Sequence, residues 1–157
     1  MSFDIEEQYD KIYRYCYFKL HSRELVEDVT QETFLRYLQH YNCITTVSAL
    51  KYLYTIARNL CVDEYRRPRT EPMDKSIPDY TMEETLITNL TVRTALSKLA
   101  PDEQELLLLR YVNEVPVSVL GKIYGLSRFS IYRKISSASN KFREELRKED
   151  YHGSMER

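Results

Sequence analysis

Apolar residues recur every three or four positions along most of this 157-residue chain, the spacing that lines one side of an α-helix. Ile5, Tyr9, Ile12, Cys16 and Leu20 predict a first helix over residues 4–20, whose other tyrosines divide between core and rim. Leu25, Val26, Val29, Phe34 and Leu38 predict the buried side of a second helix, from Ser22 to His40. A third, from Ser48 to Arg67, carries Leu50, Leu53, Ile56, Ala57 and Leu60 on one stripe and is stopped by Pro68, because a proline ring does not fit a helix interior. Residues 41–47 form the loop between the second and third helices.

The pattern vanishes from Pro68 to Tyr80, where PRTEPMDKSIPDY is polar, holds three prolines and reads as a linker between two domains. It returns over residues 82–99, and Pro101, suited to a first helical turn, opens a further helix completed by EQELLLLRYV. In residues 116–148, Pro116 opens a short helix, Gly125 supplies the positive φ of its C-terminal cap, and Ser127 caps the start of the next helix. The joint YGLS fits a helix-turn-helix. With only 3 glycines and 5 prolines for turns, long helices with short connections are favoured over strands. The expected fold is all-α: two small helical domains joined by a flexible linker, the C-terminal one containing the helix-turn-helix. The expected divisions are residues 1–68, a linker 69–81, residues 82–148 and a tail 149–157.

Charge sharpens this division. The net charge of -1 hides 8 acids against 4 bases in residues 1–32 and 5 bases against 2 acids in residues 51–69. Residues 70–105 hold 8 acids and 3 bases, and residues 119–148 hold 8 bases and 2 acids, giving +6. Two basic islands flank an acidic stretch, which suggests two separate contacts with a polyanion.

On the second helix of the helix-turn-helix, Ile131, Ile135, Ala138 and Phe142 form a narrow inward stripe. Phe129, Ser130, Arg133, Ser136, Ser137 and Asn140 lie opposite, on a face able to enter a major groove. Arginine bonds bidentately to guanine, asparagine to adenine, and an aromatic ring packs on a thymine methyl, while Arg128, Lys134, Lys141 and Arg143 flank the face for phosphates. An ordinary hairpin with a basic solvated face would leave the outward Phe129 unexplained. This surface is assigned to Arg128, Phe129, Ser130, Tyr132, Arg133, Lys134, Ser137, Asn140 and Lys141.

In EDVTQETFLRYL, residues 27–38, Asp28, Gln31, Glu32 and Leu35 share a face that would dock on another helical surface. In ALKYLYTIARNLCVDEYRR, residues 49–67, a core stripe is combined with Arg58, Asn59, Tyr65, Arg66 and Arg67, and aromatics interleaved with bases suit unpaired or distorted DNA. Cys16, Cys43 and Cys61 form no CxxC pair and have no neighbouring histidine, which fits reduced structural thiols. The acidic start MSFDIEEQ is unlike a signal peptide, and the longest apolar run, Leu106–Leu109, is too short to insert in a membrane, so a cytoplasmic protein is expected. A helical nuclease or hydrolase built on Asp28 and Glu32 finds little support: His21, His40 and His152 are scattered and no glycine-rich phosphate loop exists. Neither an enzyme nor a cofactor or metal is expected.

These segments, in this order, resemble the extracytoplasmic-function group of bacterial RNA polymerase sigma factors. EDVTQETFLR is similar to the group's polymerase-binding helix, YLYTIARNLCVDEYRR to the adjoining helix of the −10 promoter-binding domain, and ALSKLAPDEQELLLLRY to the opening of the −35-binding domain. The resemblance implies a factor that binds core RNA polymerase, carries it to promoter DNA and helps open the duplex. It places Asp28, Gln31, Glu32, Phe34 and Leu35 at or near the polymerase clamp, and Asn42, Thr45, Thr46, Asn59, Tyr65, Arg66 and Arg67 around an unstacked −10 base. It also implies that the acidic linker, with five carboxylates and one lysine between Thr70 and Glu84, threads the RNA exit path, and that an anti-sigma protein is a partner.

The chain departs from that pattern in places. Tyr52 stands where the group often has tryptophan and Gly121 where it has alanine, both conservative in size. Phe129 and Arg133 replace small residues, and SSAS at residues 136–139 replaces an arginine-rich segment, which predicts a distinctive −35 sequence read by Phe129 and Arg133. The alternative is a helix-turn-helix regulator that does not join polymerase. Such a regulator would need a dimerisation or ligand-sensing domain where this chain has a docking helix beside a basic, tyrosine-bearing one.

Overall fold

The computed structural model describes residues 4–40, 45–67 and 90–155 of the chain. All regular structure among them is helical, and the chain divides into two compact units, residues 1–80 and 81–157.

The first unit contains α1 (Ile5–Leu20), α2 (Arg23–Gln39) and α3 (Thr46–Arg66), each packed on the other two. Local chemistry sets the helix ends. The Asp4 carboxylate accepts the N–H groups of Glu6 at 3.0 Å and Glu7 at 3.4 Å, satisfying donors that the first turn leaves unpaired. His21 closes α1 in the left-handed region at φ 55, and its N–H bonds the Tyr17 carbonyl at 3.0 Å.

Tyrosine packing then joins the three helices pairwise. Tyr9 of α1 meets Phe34 of α2 with ring centroids 5.2 Å apart, Tyr15 of α1 meets Tyr54 of α3 edge-on at 5.9 Å, and Tyr37 of α2 meets Tyr52 of α3 at 5.9 Å. Ile12, Leu20, Val26, Leu53 and Ala57 fill the space between them and are fully buried. Thr30 and Thr33, also fully buried in α2, donate their hydroxyls to the Val26 and Val29 carbonyls at 2.7 Å, so neither oxygen is left unpaired.

Two residues of the expected core stripes are outside. Ile5 in the first turn of α1 is 45% exposed, and Leu38 of α2 is 59% exposed. At about 100° per residue Leu38 falls about 40° beyond Phe34, past the edge of the arc that α1 and α3 cover, and beside Gln31 and Leu35.

In the second unit, α4 (Leu90–Ser97) precedes α5 (Pro101–Leu107), which runs into a π-helical turn, Leu108–Val112. The helix expected over residues 82–99 is described only from Leu90; residues 82–89, and the linker at 69–81, lie outside the described residues. The expected continuous helix through EQELLLLRYV widens at its end: Asn113 N–H bonds the Leu108 carbonyl at 3.0 Å, and Val115 N–H bonds the Leu109 carbonyl at 2.9 Å. Glu114, between them, takes a left-handed φ of 54, which costs a residue with a Cβ about 1 kcal/mol. Leu106 to Leu109 are all buried, although four consecutive residues sweep most of the way round a helix, so α5 is covered on nearly every side.

The helix-turn-helix follows as α6 (Val117–Tyr124) and α7 (Arg128–Met155). Gly125 caps α6 at φ 66, and Ser127 Oγ accepts the Ser130 N–H at 3.2 Å. α7 runs on to Met155, into the expected tail 149–157, and Arg147–Glu144 and Lys148–Glu145 pairs support the turns before it. Ile131, Ile135 and Ala138 are buried, and Ala138 packs with Leu99 and Leu107, with Phe142 and Leu96 at the edge. The hydroxyl of Tyr124, the last residue of α6, donates to Glu105, a carboxylate of α5 that is only 1% exposed.

Gly121 proves less exchangeable than its size suggests. A Cβ there would lie 2.9 Å from the Leu126 carbonyl oxygen, because the turn folds back on α6 with Leu126 N–H bonded to the Gly121 carbonyl.

Tyr54→Ala, which removes a fully buried ring shared by α1 and α3, is expected to cost about 3–5 kcal/mol. Tyr52→Ala, at a half-buried position, should cost clearly less. Urea unfolding followed by circular dichroism measures both.

Candidate functional site

The inward stripe of α7 leaves the opposite side of the helix in solvent. Phe129 is 78% exposed and Tyr132 50%, and Arg128, Arg133, Lys134, Ser136, Ser137 and Asn140 are exposed with them. Ser130 is half-buried at the edge, where its hydroxyl accepts Arg133 Nη2 at 3.2 Å. Every residue assigned to this surface from the sequence is therefore outward or at its rim.

Lys141, expected among the phosphate contacts, also has a partner within the chain. Its Nζ lies 2.8 Å from Glu103 Oε2, and the other oxygen of Glu103 accepts the Ala100 N–H at 3.0 Å, capping α5. The Lys141 hydrogen bond holds the Glu103 carboxyl below its ordinary value; partial burial opposes this, and the Ala100 N–H and the charge of Lys134 assist. Lys134 and Lys141 thus face the α5 side of α7, while Phe129, Arg133 and Asn140 occupy the middle of the outer face.

On α3, Asn59 and Arg66 are exposed on one line with Lys51, Thr55 and Val62, and Tyr65, 60% exposed, stands beside it. Arg67, just past the helix, reaches Glu64 at 3.5 Å. Thr46 is exposed in the first turn. Thr45 is engaged: its Oγ1 accepts the Ser48 N–H at 3.1 Å and lies 3.0 Å from Ser48 Oγ, so it caps α3. Asn42 lies outside the described residues. Lys51 and Val62 were missed by reading motifs alone, although their spacing from Asn59 and Arg66 marks the same face.

The third surface is a cleft between α2 and α3. Asp28, Val29, Gln31, Glu32 and Leu35 line it from α2, and Leu60 and Glu64 from α3. Leu35 is 52% exposed at its lip. Glu32 is bonded by Arg36 Nε at 2.8 Å, and Gln31 hydrogen-bonds the Tyr9 phenol, whose pKa is raised by partial burial and by the charge of Glu27. Phe34, grouped with this face in the sequence, is 7% exposed with its ring on Tyr9, and it supports the face from behind. Leu60 and Glu64 enter only because α3 crosses α2 here, which no single helix reveals.

Among the described residues no cluster of histidine, cysteine and carboxylate groups could hold a metal ion, and no helix is long and apolar enough to cross a membrane.

Residues 5–70 match the Sigma-70 region 2 family. The chain is 30% identical over 146 residues to the ECF RNA polymerase sigma factor BldN of Streptomyces coelicolor, a match covering 82% of this chain and 55% of that protein, so the chain spans about half of BldN. It is 26% identical over 164 residues to the ECF RNA polymerase sigma factor SigW of Bacillus subtilis, covering 92% of this chain and 88% of SigW. It is also 26% identical over 155 residues to the RNA polymerase sigma factor YlaC of Bacillus subtilis, covering 90% of this chain and 87% of YlaC.

The Glu103–Lys141 pair has a pH signature. A lowered carboxyl pKa stabilises the fold above the ordinary glutamate value, and this increment is lost as pH falls through the lowered value. The wild-type protein is therefore expected to lose up to about 1 kcal/mol in that acid window, the size of an exposed ion pair, and Glu103→Gln to lack that component. Denaturant midpoints measured against pH test this.

Proposed function

We propose that the chain is a sigma factor of the extracytoplasmic-function kind, which binds core RNA polymerase and directs it to promoters whose −35 and −10 elements it contacts itself. The observation that carries this reading is the first unit. One side of α2 offers an acidic and apolar cleft, and α3 offers a basic, tyrosine-flanked face, within the segment that matches the polymerase-binding region of the family.

In this reading Asp28, Gln31, Glu32 and Leu35 dock on the polymerase clamp, with Leu38, Leu60 and Glu64 completing the contact. Apolar Leu35 and Leu38 supply buried area and the carboxylates supply register and steering, the usual division of labour in an interface. Asn59, Tyr65 and Arg66 receive unpaired bases and phosphates of the −10 strand. An aromatic ring stacks on any base and an arginine offsets backbone charge, so together they favour the opened duplex. The outer face of α7 enters the major groove of the −35 element. No bond is made or broken by the protein itself in this scheme, and an anti-sigma protein that covers the same faces would hold it inactive. The rival reading, a regulator that never joins polymerase, would leave the α2–α3 cleft without an occupant.

Two results test this. The full chain is expected to co-elute with purified core polymerase on a sizing column and to support transcription from a cognate promoter; failure to co-elute would sink the proposal. Leu35→Asp places a charge on the exposed lip without disturbing the core, and it should weaken polymerase binding at least about tenfold, as loss of a buried anchor does. Its melting curve should match the wild type.

A further inference from the structure

Resting on the reading of α7 as the helix that meets the −35 duplex, we infer that Ser130 is a positioning residue that pre-aims Arg133 at a guanine, and that Phe129 reads a thymine about two base pairs away. Three bonded groups carry this. Ser127 Oγ accepts the Ser130 N–H at 3.2 Å and donates to Ser130 Oγ at 3.1 Å, and Ser130 Oγ also accepts Arg133 Nη2 at 3.2 Å. The cap that fixes the start of α7 is thus linked through one hydroxyl to the guanidinium one turn further on.

Ser130 Oγ thus takes two donors, one from the cap and one from the guanidinium. Arg133 uses one of its five N–H donors on Ser130, and the remaining four include enough for the two-point contact that guanine O6 and N7 accept. A long side chain already held near its binding rotamer loses less freedom on binding, which sharpens discrimination for a given contact.

The surroundings leave this arginine to DNA. No carboxylate occurs between Val115 and Arg143, so α7 has no acid of its own within two turns of Arg133. On the α5 side of the helix Glu103 is paired with Lys141 and feels the charge of Lys134. Phe129 precedes Arg133 by four residues on the same face and is 78% exposed. Four residues of helix rise about 6 Å, against about 3.4 Å per base step, so the two side chains meet base pairs about two steps apart. A flat ring that cannot hydrogen-bond distinguishes bases in the major groove by the thymine methyl.

Selection from duplexes randomised over the −35 element tests this, run with the full chain alone and again with core polymerase reading out transcripts. The wild type is expected to enrich a guanine with a thymine about two steps away. Replacing that guanine by 7-deazaguanine, or Arg133 by alanine, should remove about tenfold or more of the preference. Replacing the thymine by uracil, or Phe129 by alanine, should equalise the bases at that step. Ser130→Ala should lower the guanine preference about fivefold with the melting temperature unchanged, and Ser130→Thr, which keeps the hydroxyl, should restore it. A guanine preference that survives Arg133→Ala, or is untouched by Ser130→Ala, overturns the inference. Selection by the protein alone, with no transcripts from core polymerase, would instead overturn the sigma-factor reading and leave this one standing.

Discussion

The pairwise aromatic packing of α1, α2 and α3 is the constraint on which the first unit rests. Three helices of about this length have little interior to bury, and each ring pair fixes one crossing: Tyr9 with Phe34, Tyr15 with Tyr54, Tyr37 with Tyr52. Once the three crossings are fixed, the rotation of each helix about its axis is fixed too. Turning α2 by one residue would carry Phe34 out and Leu35 in, and the cleft that holds Asp28, Gln31 and Leu35 beside Leu60 would be lost. The outer faces are therefore consequences of the inner ones, and an abundance of tyrosine that looks like surface decoration is mostly joinery.

The second unit meets the same requirement by other means. Aliphatic packing of Ile131, Ile135 and Ala138 sets the rotation of α7, and two polar ties set its position relative to its neighbours. Tyr124 is bonded to the buried Glu105, which anchors the end of α6 on α5, and Lys141 is bonded to Glu103, which anchors the middle of α7 on the start of α5. The two ties differ in worth. A buried carboxylate deprived of its donor carries a desolvation cost that an exposed pair does not, so the Tyr124 contact governs fold and the Lys141 contact governs fine orientation.

Helix positions, the turn at Gly125 and the basic face of α7 were legible in the sequence, because each follows from one element's own period and caps. What was not legible depends on a second element. Leu38 fits a core stripe by spacing, yet α1 and α3 do not extend their cover that far around α2, so it is exposed on the side of Gln31 and Leu35. Phe34 is on the expected core side, packed on Tyr9 behind the face it was grouped with. Thr45 also caps α3 through Ser48, and Lys141 also pairs with Glu103, ties that a reading of one helix at a time does not reveal. The π-helical end of α5 is hidden because nothing in LLLLRYV announces it; it arises where four leucines must all be buried before a tight left-handed exit at Glu114.

The joint between α6 and α7 connects that packing to recognition. Gly125 turns the chain with a positive φ, and the carbonyl of Leu126 comes so close to Gly121 that a Cβ there would touch it at 2.9 Å. An alanine at that place would help α6 by about 1 kcal/mol in helix propensity, and it would also push Leu126 outward. Ser127 follows immediately and begins the hydrogen-bonded series that ends on Arg133. A shift of a few tenths of an ångström at Leu126 is thus passed to the cap and from there to the guanidinium. Gly121 thus lets the turn lie this close to α6, directly ahead of the Ser127 cap and the Ser130–Arg133 bond.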